Sequence, residues 1–441
     1  MYLGGSNLEK ALLKKAAIQS VALMLGVIML SYAIKQYNGV AISASNNEEI
    51  TLNTQPVVQN AVQEFPGVDE LEELDSNVNN DTLVEAVILD RPHLIFTGAV
   101  TDINNDIVEQ LGDKYLVIRK PQGKEFEIQL EDHYITKNLK LTISGFTEEI
   151  PDNNYIGRVN EEDIFIGEPI YIENEIIEQD EDGAFISNII RDYGNDPVND
   201  IQITSKTDDR GHSVQEIILL LDHVYVHILY EDEHYYYIDL KRPKEVYDKI
   251  LVIDSGHGGK NPGAISRDEL TYEKDINLNI LLRLKEHLDK DNVMVYYTML
   301  TDETLFLRPR VNLANDVDCD FFISIHCNSS TSTRPNGAEV LYYDYENKNI
   351  RAKELAKIFS REISKNISLR NGGILQMKND DILILNHAAV PAIMVETGYL
   401  SNDSDLEYLK SNAGQAAMAK GIYEGIWQAY AEFMPDKYTN E

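Results

Sequence analysis

Two histidines and two glutamates in the second half of this 441-residue chain stand beside strongly apolar segments: His257, Glu273, His326 and Glu396. His257 lies in Ser255-Gly-His-Gly-Gly259, directly after the continuous apolar run Ile250-Leu-Val-Ile-Asp254. Glycines on both sides let the backbone turn sharply and come close to an ion or substrate. Spacing excludes a nucleotide loop: Gly259-Lys260 lacks the earlier Gly and the Ser or Thr of a P-loop, and Asn261 breaks G-x-G-x-x-G. His326 follows a second run, Cys319-Asp-Phe-Phe-Ile-Ser-Ile325, and Glu396 follows a third, Ala392-Ile-Met-Val395. Two histidines and one carboxylate are a zinc set that leaves the fourth position for water, and a second carboxylate serves as its proton acceptor. Cys327 beside His326 suggests a nucleophile, but neighbours on a strand face opposite sides, so Cys327 reads as a packing thiol.

Three strands and a helix must position these groups. Short apolar runs followed by polar loops are the pattern of parallel strands buried on both faces, and ligands of open α/β sheets bind beyond the strands' carboxyl ends. Tyr272 to Leu288 reads as a helix with Ile276, Ile280, Leu284 and Leu288 on one face and Thr271 as N-cap. Glu273 extends that core-facing stripe, where a carboxylate needs a cation or several donors, unless it only complements the helix dipole. A last helix, Gln415 to Phe433, carries the stripe Met418, Ile422, Ile426, Ala429 and Phe433 and ends at Pro435. Residues 248–435 are therefore expected to form a twisted, mostly parallel sheet flanked by helices. Cys319 and Cys327, eight residues apart on one strand, would be about 26 Å apart and form no disulfide with each other.

Ile253-Asp-Ser-Gly-His-Gly-Gly259 with Gly263-Ala264, then Glu273-Lys274, Arg310 with Ala314-Asn315, Ser324-Ile-His-Cys-Asn328 and Pro391-Ala-Ile-Met-Val-Glu-Thr-Gly-Tyr-Leu-Ser-Asn402 carry a resemblance in combination. The stretch from about Lys249 to Tyr430 resembles the zinc-dependent N-acetylmuramoyl-L-alanine amidases of the type-3 amidase family, which cleave peptidoglycan. The resemblance implies Zn2+ as cofactor, His257, Glu273 and His326 as metal ligands, and Glu396 as the catalytic carboxylate. It also implies hydrolysis of the amide between N-acetylmuramic acid and L-alanine. Two positions depart from the family pattern: Thr298-Met299 stands where Thr-Arg is frequent, and no Arg occurs between Ile382 and Asn386. The same zinc set would also serve a wall peptidase or deacetylase, and without chemistry the chain would be a membrane-anchored wall-binding scaffold.

The remaining half divides by composition. Ala16 to Ile34 carries no charge and is long enough to span a bilayer, with Lys10, Lys14 and Lys15 before it and Lys35 after it. Residues 1–15 are then cytoplasmic, 16–34 are a transmembrane anchor and the rest is extracytoplasmic. Small residues at Ala41-Ile-Ser43 and Ile42-Ser-Ala44 offer the alternative of a cleaved signal and secretion. Residues 35–90, without Lys or Arg from Gln36 to Asp90, form an acidic linker. Residues 91–247 read as a β-rich accessory domain from runs such as Lys114 to Arg119, Leu139 to Ser144 and Tyr235 to Asp239. Lys124 to Gly145 and Gln215 to Lys241 hint at a duplicated β unit. Two metal-like patterns there are discounted: His223 and His227 on one strand would be about 13 Å apart, and the loop from Glu178 has Ile189 where calcium needs a Glu. The net charge of -35, from 39 basic and 74 acidic residues, excludes nucleic acid as partner. Peptidoglycan, the membrane and a regulatory protein at the β-rich domain are the expected partners of a monomer.

Overall fold

The computed structural model describes residues 105–438 apart from 121–126, 147–155, 161–162, 180–184, 209–210, 212, 344–351 and 379–381. The uncharged run 16–34 and the acidic stretch 35–90 lie outside the described residues. Among the described residues no helix is long and apolar enough to cross a membrane.

Among the described residues the first region has eleven strands. They are β1 (Lys114–Arg119), β2 (Glu127–His133), β3 (Asn138–Phe146), β4 (Ile156–Asn160), β5 (Asp163–Ile166), β6 (Ile172–Gln179), β7 (Phe185–Asp192), β8 (Val198–Thr207), β9 (Ser213–Leu221), β10 (Val226–Glu231) and β11 (Tyr235–Lys241). A five-stranded sheet in the order β10-β11-β1-β4-β5 and a four-stranded sheet β2-β3-β9-β8 share one core. Leu116, Ile118 and Ile238 enter it from one sheet, and Leu139, Leu141, Ile217 and Leu219 from the other. Period-two alternation drives this: Tyr115 and Val117 of β1 point the other way, into a second cluster beneath a short helical turn. Each of the two segments that hint at a duplicated unit contains an antiparallel hairpin, β2–β3 in the first and β10–β11 in the second. β2 and β3 pair within one sheet, whereas β10 and β11 belong to the other sheet from β9.

The second region contains β12 (Ile250–Ser255), α1 (Glu273–Leu288), β13 (Met294–Tyr297), α2 (Leu307–Asp316), β14 (Phe321–Asn328), β15 (Ala338–Tyr343), α3 (Ala352–Asn366), β16 (Asn371–Met377), β17 (Ala392–Tyr399), α4 (Asp403–Lys410) and α5 (Asn412–Phe433). Its sheet runs β13-β12-β14-β17-β15-β16. Four strands are parallel, while β15 pairs antiparallel with β17 and carries β16 with it, so the sheet is mixed. Leu251 and Ile253 of β12 pack under α1 in the cluster that also holds the apolar faces of α3 and α5, and Ile250 and Val252 pack on the opposite face against α2. Burial on both faces is why β12 is apolar without alternation.

Helix boundaries depart slightly from expectation. Tyr272, not Thr271, is the N-cap of α1, and it offers no side-chain cap. Thr271 N instead donates to Ser266 Oγ at 3.0 Å, within a loop that bridges Ile265 and Tyr272. α5 begins at Asn412 because Ser411 caps Gly414 N, and a further short helix starts at Pro435. Met418, Ile422, Ile426 and Ala429 are fully buried, and Phe433 packs at the edge of the core.

The two regions meet through the C-terminal end of α2. Asp316 Oδ2 accepts from Val224 N at 2.6 Å, and Asp316 Oδ1 lies 2.6 Å from His223 Nδ1. Arg242 and Lys137 approach at 3.6 and 3.9 Å. Tyr134 Oη donates to Tyr297 O at 2.7 Å while its ring meets Tyr296 edge-on.

Candidate active site

The tip of β12 feeds the glycine loop that carries His257. His257 has φ 65°, in the left-handed region that side chains with a Cβ rarely adopt, and Gly258 and Gly259 follow at 123° and 57°. Arg310, buried on α2, fixes that backbone. Its Nη2 donates to His257 O at 2.6 Å, and its Nη1 lies 2.8 Å from Asp254 Oδ1 and also reaches Ser255 O. Asp254 in turn accepts from Thr298 Oγ1 and Ser324 Oγ, both at 2.6 Å. Burial alone would raise the Asp254 pKa, but the Arg310 charge and these hydroxyls hold it below the ordinary carboxylate range. Thr298 thus belongs to the network under the loop, and Met299, at the departure from the family pattern, is buried against Gly258.

Glu273, at the first turn of α1, is the centre of the cluster and only 3% exposed. His257 Nε2 lies 3.1 Å and His326 Nδ1 2.9 Å from its Oε1, and the two imidazoles stand edge-on with centroids 4.8 Å apart. Ala264 N donates to Oε2 at 2.7 Å and Cys327 N to Oε1 at 3.0 Å. Burial pushes the Glu273 pKa up, yet hydrogen bonds from both histidines outweigh it and hold the carboxyl ionised. His326 is shifted upward: burial opposes its charge, but the hydrogen bond to Glu273 and the charges of Glu396, Glu273 and Asp254 together outweigh it.

One donor atom from each of His257, Glu273 and His326 lies within 4.8 Å of the others. Donors about 2.0–2.1 Å from a tetrahedral zinc are about 3.3 Å apart, so the set fits a divalent ion with small adjustments. Two glycines keep the space clear: a Cβ on Gly256 would fall 2.3 Å from the His326 ring, and one on Gly263 would fall 2.6 Å from Glu273 Oε2. Of the four residues singled out in the sequence, these three converge on one another. Glu396 stands beside them, opposite His326 in the β14–β17 register. Both His326 and Glu396 lie inside their strands, which continue to Asn328 and Tyr399, not beyond the strand ends.

Glu396 is 9% exposed and its Oε2 has no hydrogen-bond partner. Burial raises its pKa to about 7; His326 opposes this, and Glu273 and Glu339 add to it. Glu339, not singled out in the sequence, faces Glu396 across the β15–β17 pairing. An acid inside the apolar run Ala338-Glu-Val-Leu-Tyr342 was its signal. Cys327 Sγ lies 3.4 Å from Asn277 Oδ1 and 3.2 Å from Thr397 Oγ1, and burial drives its pKa well up, which keeps it a thiol. Both cysteines are free and buried. His227 is buried on β10 near Asp132, its pKa pushed down to about 4 by burial, while His223 precedes that strand and faces Asp316. They share no site.

A mixed sheet presenting two imidazoles and a carboxylate beside a buried, unpaired glutamate defines a hydrolase of the α/β class built to use a metal ion. The family model described as N-acetylmuramoyl-L-alanine amidase matches residues 251–428. The germination-specific N-acetylmuramoyl-L-alanine amidase of Bacillus subtilis is 30% identical over 198 residues, 42% of this chain and 81% of that protein. N-acetylmuramoyl-L-alanine amidase LytC of the same organism is 31% identical over 191 residues, which are 43% of this chain and 37% of LytC. The catalytic domain of CwlV, an amidase of Bacillus (Paenibacillus) polymyxa, is 31% identical with a TM-score of 0.39, covering 42% of this chain and 98% of that one. This chain belongs to the type-3 N-acetylmuramoyl-L-alanine amidase family.

Proposed function

We propose that this protein is a zinc-dependent peptidoglycan amidase, held at the outer face of the membrane by residues 16–34, that hydrolyses the bond between N-acetylmuramic acid and L-alanine. Residues 248–435 form the catalytic domain in this reading, and 91–247 form an accessory β domain. The observation that carries it is the convergence of His257, Glu273 and His326 next to the unpaired Glu396.

Zinc, when bound, supplies positive charge for the carbonyl oxygen and acidifies a water molecule. His257, Glu273 and His326 would hold it. Glu396 then does the proton chemistry. It accepts a proton from the attacking water and returns it to the alanine nitrogen as the C–N bond breaks. Water's oxygen ends in the lactyl carboxylate and the peptide departs with a free amino terminus. No covalent enzyme intermediate is required, consistent with Cys327 being a buried thiol.

The test is product analysis on purified wall. The expected result is new L-alanine amino termini without new reducing sugar ends; peptidase or deacetylase products would overturn the reading. Glu396→Gln is expected to keep stoichiometric zinc while turnover falls by at least about 10²-fold, the scale of a lost acid–base group. Unchanged turnover would remove Glu396 from the mechanism.

A further inference from the structure

The row of site side chains continues past Glu396. β14, β17 and β15 are adjacent, and register places His326 beside Glu396 and Glu396 beside Glu339, so the three lie in sequence across one face at about 5 Å per strand. Glu339 stands on the far side of Glu396 from the metal cluster and is not part of it. One of its oxygens, Oε2, accepts from Tyr399 Oη at 3.0 Å and from Asn328 Nδ2 at 3.3 Å. Space is cleared for it as for the ligands: a Cβ on Gly372 would fall 2.3 Å from Glu339 Cγ. Its neighbour Glu396 is nine-tenths buried with an unpartnered oxygen. A partly buried carboxylate aimed by two donors, with another carboxylate at its side, is built to meet a donor or a cation.

We propose that Glu339 is a specificity residue that accepts a hydrogen bond from the N–H of the scissile amide and afterwards from the ammonium of the released peptide. The inference rests on the amidase reading. In that reading a carbonyl carbon set over the metal cluster, with Glu396 at the breaking bond, would direct the leaving nitrogen along the row toward Glu339. That nitrogen is the donor on the leaving side, before cleavage as N–H and after it as ammonium. The carbonyl oxygen, an acceptor, is repelled from this end of the row, which fixes the direction in which the bond is presented.

The experiment uses the full chain loaded with zinc. Inhibition of wall hydrolysis is measured with a short peptide beginning in a free L-alanine and with the same peptide N-acetylated. The wild type is expected to prefer the free amine by about tenfold or more, as a charge-assisted hydrogen bond supplies. Glu339→Gln is expected to bind both peptides alike and to lose about 10- to 100-fold in kcat/KM with zinc content unchanged. Tyr399→Phe, which leaves Glu339 in place but removes one donor that aims it, is expected to lose part of the preference and keeps the test open if Glu339→Gln does not fold. A purely structural role would lower zinc content or Tm and leave the free-amine preference intact. Retention of that preference in folded Glu339→Gln overturns the inference, as does a wild type that cleaves wall without it. A wild type that does not release L-alanine termini overturns the amidase reading itself.

Discussion

His257 adopts a backbone conformation that costs a Cβ-bearing residue about 1–2 kcal/mol, and the surrounding structure must hold it there. Arg310 does so with a planar fork that meets Asp254, Ser255 O and His257 O together, a geometry that a lysine ammonium cannot reproduce. Arg310 touches none of the three ligand side chains directly in these bonds; it aims one of them through the main chain. Replacing Arg310 by Met is therefore expected to weaken zinc binding about 10- to 100-fold, the usual effect of losing an orienting partner, measured by competition with a chromophoric chelator. It also leaves the Asp254 charge buried and unpaired, at about 3–5 kcal/mol of stability. Adding Asp254→Asn is expected to restore part of the Tm but not the zinc affinity. Recovery of both would mean that Arg310 acts on stability alone.

At the scale of elements, α2 is gripped at both ends: Arg310 near its start holds the metal loop, and Asp316 at its end receives His223, Val224 N, Arg242 and Lys137 from the β-rich region. Burial raises the Asp316 pKa, but His223, the Val224 amide and the two cations outweigh it and hold the carboxyl below its ordinary 3.8. A carboxylate with a depressed folded pKa gives stability that is present above the unfolded value and lost as pH falls through the folded one. Asp316→Asn is accordingly expected to lower stability by about 1–3 kcal/mol at pH 7, with the deficit closing below about pH 4 in thermal unfolding. A deficit independent of pH would assign the junction to packing of Tyr134 and Val224 instead. Much of this scale is legible in the chain. β12 and β14 declare themselves as apolar runs because both of their faces are buried, and the α5 stripe follows helical period. The reversed direction of β15, and with it the Glu339–Glu396 pairing, is not legible, since alternation identifies a strand but not its neighbour. The α1 cap is also missed. Thr271 is the better capping type, but the bridge from Ile265 to Tyr272 keeps the chain extended one residue further.

For the whole molecule the dominant quantity is a net charge of -35. The proposed substrate is a polymer whose stem peptides carry carboxylates, so the long-range field opposes approach. Encounter and chemistry therefore respond to salt differently. The field is screened over a Debye length of about 30 Å at 0.01 M and about 8 Å at 0.15 M, whereas the largely buried cluster around Glu273 is screened far less. kcat/KM on intact wall is expected to rise several-fold over that range while kcat changes little. A short fragment with neutralised carboxylates should show no such rise, because it lacks the charge that the protein repels. If kcat itself follows salt, the effect acts on the site. If the neutral fragment responds as the wall does, charge repulsion is not what limits encounter, and the acidity of this chain serves solubility instead.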